Sequence, residues 1–241
     1  MSKLAEKEIP GKVAQEMAAE KEPKKVSGRM IFYQAVILFV VGCVFGTYWE
    51  EIMHLVTSFW ATGTPMWESR RGLVYGPFSP VYGIGAVLIY LVFYLPKVKG
   101  WACFVGGAVF GGALEYILSV LQEWIFGTRS WDYSDRLLDI GGRTTVPYMI
   151  VWGALVFMVA RWICPMIDEA CRKVATKKLE WFCLGISAFL MFDIVVSVAA
   201  AWRQTERRLG DPANTRIERL LDRKFPDERL QKIYSNTKVA E

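Results

Sequence analysis

The stretch Arg70-Arg71-Gly72-Leu73-Val74-Tyr75-Gly76-Pro77-Phe78-Ser79-Pro80-Val81-Tyr82-Gly83-Ile84-Gly85-Ala86 is apolar enough to enter a bilayer, yet it cannot form a regular helix there. Gly72, Gly76, Gly83 and Gly85 loosen the backbone, and Pro77 and Pro80 each remove an N–H donor and clash with the preceding turn. In hydrocarbon, freed backbone groups are tolerated only inside protein or along a wet cavity, so the stretch is expected to fold back into a helix bundle, where such breaks mark binding sites.

Outward from this segment the chain reads as a polytopic membrane protein. Of its 241 residues 53% are hydrophobic and the mean hydropathy is +0.24 although both ends are charged, so the middle is strongly apolar. The fold class predicted is all-α: a membrane helix bundle of about five transmembrane helices with the Gly/Pro-broken segment before the second. Span one runs from about Ile31 to Trp49 and continues into Glu50, Glu51 and His54. Span two, counted from Leu73 to Leu95, reaches crossing length only with its broken part. Span three starts near Trp101 and ends at Phe126, span four covers Val146 to Ile163, and span five covers Phe182 to Ala201. Residues 127–145 form a polar connection with interfacial aromatics, and residues 168–178 read as a basic loop.

Three regions follow: a charged N-terminal tail over 1–29, a transmembrane domain over 30–202, and a charged tail over 203–241. In the last, Ile217, Leu220, Leu221 and Phe225 have helical spacing and Pro226-Asp227-Glu228 starts another short helix, both placed to lie on the membrane or on a partner. Basic residues in the first tail, at Lys97 and Lys99, and at Arg172 to Lys178 put the N-terminus inside, whereas five crossings would leave the equally basic C-terminal tail outside. The five Cys have no paired spacing, which argues against a disulfide framework or a zinc site, and a single His excludes most His-based metal sites. No P-loop motif is present, so an ATPase would have to be a separate subunit.

Chemistry-bearing residues cluster on two helical faces. Glu115, Ser119, Gln122 and Glu123 share one side of span three, preceded on that side by Gly107 and Gly111, and Gly42, Gly46, Glu50 and His54 repeat this design in span one. A carboxylate at the bilayer centre costs on the order of 3 kcal/mol, so Glu115 and Asp193 need a partner or water. Arg70, Arg71 and Arg143 are the candidates, Arg71 and Arg143 being better placed for the interior and Arg70 equally suited to anchor at headgroups. Asp132 or Glu123 is the expected acidic partner of Arg143. Asp132 and Tyr133 can cap the site, and Tyr75 and Tyr82, which flank the double proline, can bond a ligand or sit in an aromatic belt. The bland reading is that Glu50, Glu51, Glu123 and His54 lie near helix ends and are simply hydrated.

These motifs together resemble a bacterial membrane family known as putative ABC-transporter type IV, a permease-like group. The resemblance covers about Phe32 to Ser197. It rests on Gly46 with Glu50, the run from Arg71 to Ala86, Leu114-Glu115-Tyr116 with Glu123, Trp131-Asp132-Tyr133-Ser134, Gly142-Arg143, and Asp193. Ser79 stands where the family often has Cys, which argues against a thiol mechanism, and Asp139 where it often has Asn. The resemblance implies a multi-pass plasma-membrane protein.

The leading functional expectation is a permease-like protein that holds a small or amphipathic substrate in a polar intramembrane pocket. Its binding residues would be Glu50, Arg71, Tyr75, Tyr82, Glu115, Glu123, Asp132, Tyr133 and Arg143, with no catalytic residue, metal or cofactor assigned. The alternatives are a membrane enzyme acting on a lipid or isoprenoid, its carboxylates, Tyr and Arg doing acid–base work or holding Mg²⁺, and an assembly or sensor subunit. The partners expected are the lipid bilayer, a separate ATPase subunit and a second copy of the chain, with no nucleic acid.

Overall fold

The computed structural model describes residues 27–174, 177–235 and the backbone of 238–239. The N-terminal tail therefore lies almost wholly outside the described residues. About three-quarters of the described residues are helical, and among them four helices are long and apolar enough to cross a membrane: Gly28–Thr62 (α1), Gly100–Phe126 (α3), Val146–Val174 (α4) and Lys177–Leu209 (α5). A shorter apolar helix, Pro80–Tyr94 (α2), completes the bundle. At 1.5 Å per residue α2 extends about 22 Å, less than the ~30 Å hydrocarbon core.

That loop is the broken stretch, and it is folded back among the helices. Gly76 adopts φ 68°, a left-handed conformation that suits glycine, and the N–H groups of Gly72 and Leu73 both donate to Phe78 O (2.9 and 3.1 Å). Ser79 N donates to Cys43 O at 3.2 Å, after which Pro80 opens α2 from the first helical position. Leu73 and Val74 are buried, and the amides of Val74 and Tyr75 are satisfied by α5: Val74 N donates to Ser197 Oγ at 2.9 Å and Tyr75 N to Asp193 Oδ1 at 3.2 Å. This is the accounting that non-helical backbone within a bundle requires.

Several helices outrun the apolar spans. α1 continues past Trp49 to Thr62, where Gly63 ends it at φ 74°, and Thr57 and Thr62 return their hydroxyls to Met53 O and Ser58 O. The basic stretch from Asp168 is not a loop up to Val174 but the last turns of α4, where Arg172 pairs with Asp168 four residues earlier. α5 runs without interruption from Lys177 to Leu209.

Between α3 and α4 lie Thr128–Arg129 (β1), Asp139–Ile140 (β2) and Thr144–Thr145 (β3), with β2 and β3 antiparallel about Gly141 and Gly142, both at positive φ. The C-terminal segments form Arg216–Lys224 (α6), with a Thr215–Glu218 capping box, and Asp227–Ile233 (α7), followed by Lys238–Val239 (β4) antiparallel to β1. They pack on their own chain rather than standing off it. Phe225, Leu230 and Ile233 form one cluster with Val74 of the loop and Ala200 of α5.

Two ends of the bundle result. The starts of α1, α3 and α5 and the end of α4 share one end, marked by bonds among Gln34, Tyr94 and Asp168. The folded-back loop, residues 127–145 and the C-terminal segments share the other. Within the bundle α1 packs on α2 and α3 on α4 through glycine. A Cβ at Gly46 would stand 2.1 Å from Tyr82 Cγ, and one at Gly111 2.5 Å from Trp152 Cβ.

Candidate functional site

Glycine packing delivers two carboxylates to the loop end of the bundle. Gly42 and Gly46 draw α2 against α1, and one turn further Glu50 accepts the Tyr82 hydroxyl at 2.5 Å. Gly107 and Gly111 draw α4 against α3, and one turn further Glu115 accepts from three neutral donors: Tyr133 OH (3.0 Å), Thr144 Oγ1 (2.7 Å) and Trp152 Nε1 (3.3 Å). Both carboxylates are half-buried, and Tyr82 and Tyr133 lie within electrostatic reach of each other and of the opposite carboxylate. Burial, and after it the Glu115 charge, push the Tyr133 phenol well above its ordinary range, so it stays a donor.

Below this pair, further along α3, stands an ion cluster. Glu123 receives Arg143 Nη2 at 2.5 Å and Arg129 through Nε and Nη2 at 2.7 and 3.0 Å, while Arg143 Nη1 donates to Ser119 at 3.0 Å. The expected acidic partner of Arg143 is thus Glu123. The Arg143 guanidinium also sits 5.8 Å from the centre of the Tyr116 ring, and its carbonyl accepts the Trp131 indole N–H at 3.0 Å. Asp132 turns toward its neighbour, its Oδ1 accepting from Ser134 N and Ser134 Oγ. The Asx-type turn shapes the backbone that holds Tyr133 over Glu115.

Arg71 and Tyr75 belong elsewhere. They lie on the face of the loop turned to α5, where Asp193 is fully buried and its Oδ1 accepts from Tyr75 N and Ser197 Oγ. Arg71 is the cation within electrostatic reach of Asp193, and Asp193 Oδ2 and Arg71 Nε have no hydrogen-bond partner among the described residues. The Tyr75 ring stacks on Phe192 and meets Phe225 edge-on, so its contacts are apolar packing. Tyr234 closes the cluster, its phenol pushed up to about 12 by burial. Arg70 is drawn to the protein, bonding His54 Nδ1 at 2.7 Å and Glu68 at 3.2 Å.

The expected site residues therefore fall into two groups. Glu50, Tyr82, Glu115, Tyr133, Glu123 and Arg143 come together between α1, α2, α3, α4 and residues 127–145, with Asp132 at the edge. Arg71 and Tyr75 do not join them. Sequence reasoning missed Trp152 and Thr144, whose donors complete the Glu115 environment. It also missed Gln34 and Asp168, which bond each other and Tyr90 and Tyr94 at the far end. A lone amide in an otherwise apolar span was the available signal for Gln34.

A family model described as Putative ABC-transporter type IV matches residues 37–198, more than half of the 241. Comparison with curated proteins and with solved structures finds no match.

Proposed function

The chain belongs to the family described as Putative ABC-transporter type IV and is a multi-pass membrane protein, and from that premise we propose that it is a permease-like protein. Its small or amphipathic substrate binds at the carboxylate end, between Glu50–Tyr82 and Glu115–Tyr133. The observation that carries this reading is the environment of Glu115. It is a charge-bearing group in a membrane helix supplied with Tyr133, Thr144 and Trp152 as donors and with no cation bonded to it among the described residues. A carboxylate whose purpose was helix packing would be neutralised as Glu123 is, by guanidinium groups. One held only by neutral donors keeps its charge available to a cationic group or a proton passing through the site.

Glu123, Arg129 and Arg143 are the structural floor of this site, fixing residues 127–145 over it. Arg71 and Asp193 anchor the folded-back loop to α5. The reading places the protein in the plasma membrane, with any ATPase on a separate chain, since the sequence carries no P-loop. The test is flux. Purified protein in liposomes should move solutes from a cell extract across the bilayer, and Glu115→Gln should abolish that movement while leaving the amount of folded protein unchanged.

A further inference from the structure

Two parts of the chain repeat one another. Gly42, Val44, Phe45, Gly46, Glu50 and Ile52 of α1 recur at one constant offset as Gly107, Val109, Phe110, Gly111, Glu115 and Ile117 of α3. The helices that follow match as well: Tyr82, Gly83 and Ala86 of α2 have the spacing of Trp152, Gly153 and Val156 of α4. Small residues alone would signify only close packing, but here the contacts correspond one by one. A Cβ at Gly42 would meet Ala86, and one at Gly107 would meet Val156. Gly83 sits against Phe39 O as Gly153 sits against Phe104 O, and Phe104 follows Phe39 by the same offset. Tyr82 donates to Glu50 as Trp152 donates to Glu115. Both second helices then pass into a π-helical turn, Tyr90–Tyr94 and Val159–Ile163, and these two turns pack together.

We propose that the chain carries one helical hairpin twice, α1–α2 and α3–α4, and that the copies are two rigid halves. They are pinned at the Gln34–Asp168 end, held together at the carboxylate end by the contacts of Ser235 and β4, and part there when those contacts are released. Each half is rigid because glycine contacts bring its helices to backbone range, leaving nothing to compress. α1 and α3 run in the same direction, which makes this a parallel repeat about an axis along the membrane normal.

The pin joins the halves through Gln34 to Asp168 and Tyr94 to Asp168, backed by Phe93 against Phe110 and Gly106. At the other end the polar pairs Glu50–Tyr82 and Glu115–Tyr133 lie within electrostatic reach of each other, and the C-terminal segment touches both halves. Ser235 Oγ donates at 2.7 Å to Ser69 O, on the loop of the first half, while β4 pairs with β1, on the connection of the second. The device deepens the permease reading, since it supplies the opening a substrate would use, and it rests on that reading for its purpose.

The test reads movement without any substrate. Spin labels are placed at the exposed positions Trp60 and Trp124, at the carboxylate end of each half, and in a second sample at Phe32 and Met166, at the pinned end. Distances are measured in lipid nanodiscs for the full chain and for a chain shortened to end at Ser235, which removes β4 but keeps the Phe225, Leu230 and Ile233 cluster. The expected result is a second, longer population for Trp60–Trp124 in the shortened chain only, with Phe32–Met166 unchanged in both. An unchanged Trp60–Trp124 distribution overturns the proposal, as does an equal change at both ends. Either outcome leaves the flux assay to judge the permease reading by itself.

Discussion

Tyr133 donates its hydroxyl to Glu115 across 3.0 Å, so the connection between α3 and α4 is tied directly to the carboxylate it covers. Of the three donors to Glu115, the Tyr133 and Thr144 hydroxyls can turn to accept instead, whereas the Trp152 indole cannot. Glu115→Gln should therefore keep the fold within about 1 kcal/mol, because an amide oxygen still receives Trp152 and the hydroxyls adjust to its NH₂ group. Glu115→Ala leaves the donors without an acceptor and should cost about 1–3 kcal/mol. Thermal melts of the purified variants check the order, and flux should be lost in both.

Glycine substitution separates packing from chemistry. A methyl at Gly46 would lie 2.1 Å from the Tyr82 ring and one at Gly111 2.5 Å from Trp152, so Gly46→Ala and Gly111→Ala should each destabilise by about 1–3 kcal/mol. Gly85 has nothing within 4 Å of the same position, and Gly85→Ala should be neutral or stabilising by up to about 1 kcal/mol from helix propensity. Chemical unfolding of the three proteins in detergent gives the comparison.

The Glu123 cluster predicts an asymmetry. Arg143→Gln leaves Glu123 still paired with Arg129, and at 27% side-chain exposure the remaining charge is partly hydrated, so the loss of stability should be small. Glu123→Gln strands two guanidinium groups and should cost more. In a double-mutant cycle, Arg143→Gln combined with Glu123→Gln should be less damaging than the two single losses added together.

The C-terminal helices should respond to acid. Asp222, on α6, accepts from Arg203 and Arg207 of α5, and the Arg203 hydrogen bonds in first place hold its carboxyl below the usual range. A carboxyl depressed in the folded state contributes stability that is present above its unfolded pKa of about 3.9 and is lost as pH falls through the lower folded value. Protection of the α6 amides, measured relative to the unfolded chain at the same pH, should therefore be high at neutral pH and fall as pH drops below about 4. Asp222→Asn should show that loss of protection already at neutral pH.

Much of this architecture was readable from residues alone, for identifiable reasons. The double proline with Gly76 forces the chain off the helix whatever surrounds it, and the four-residue steps Gly107, Gly111, Glu115 put close packing and charge on one face before any neighbour is known. Helix ends were less legible. Nothing in an apolar count says that α1 continues to Thr62 or α4 to Val174, because those turns leave the hydrophobic run and are held by hydroxyl and ion-pair contacts. Arg71 was among the candidate partners of Asp193, but that it and Tyr75 stand apart from Glu50 and Glu115 was not legible, for a similar reason. The sequence marks the loop as folded inward, but which helix receives it depends on Asp193 and Ser197 more than a hundred residues away. The tail was legible as helices but not as a self-contact, since its apolar stripe suits a membrane surface as well as Val74 and Ala200.

If Glu50 and Glu115 serve a substrate that passes through unchanged, mass spectrometry of a reconstituted system will show it. Purified protein in liposomes is incubated with a native lipid and small-molecule extract, and the inner, outer and membrane fractions are compared with those from Glu115→Gln liposomes. Solutes of unaltered mass should change compartment only with the intact Glu115. A new chemical product that depends on Glu115 would contradict the permease reading and make the protein an enzyme.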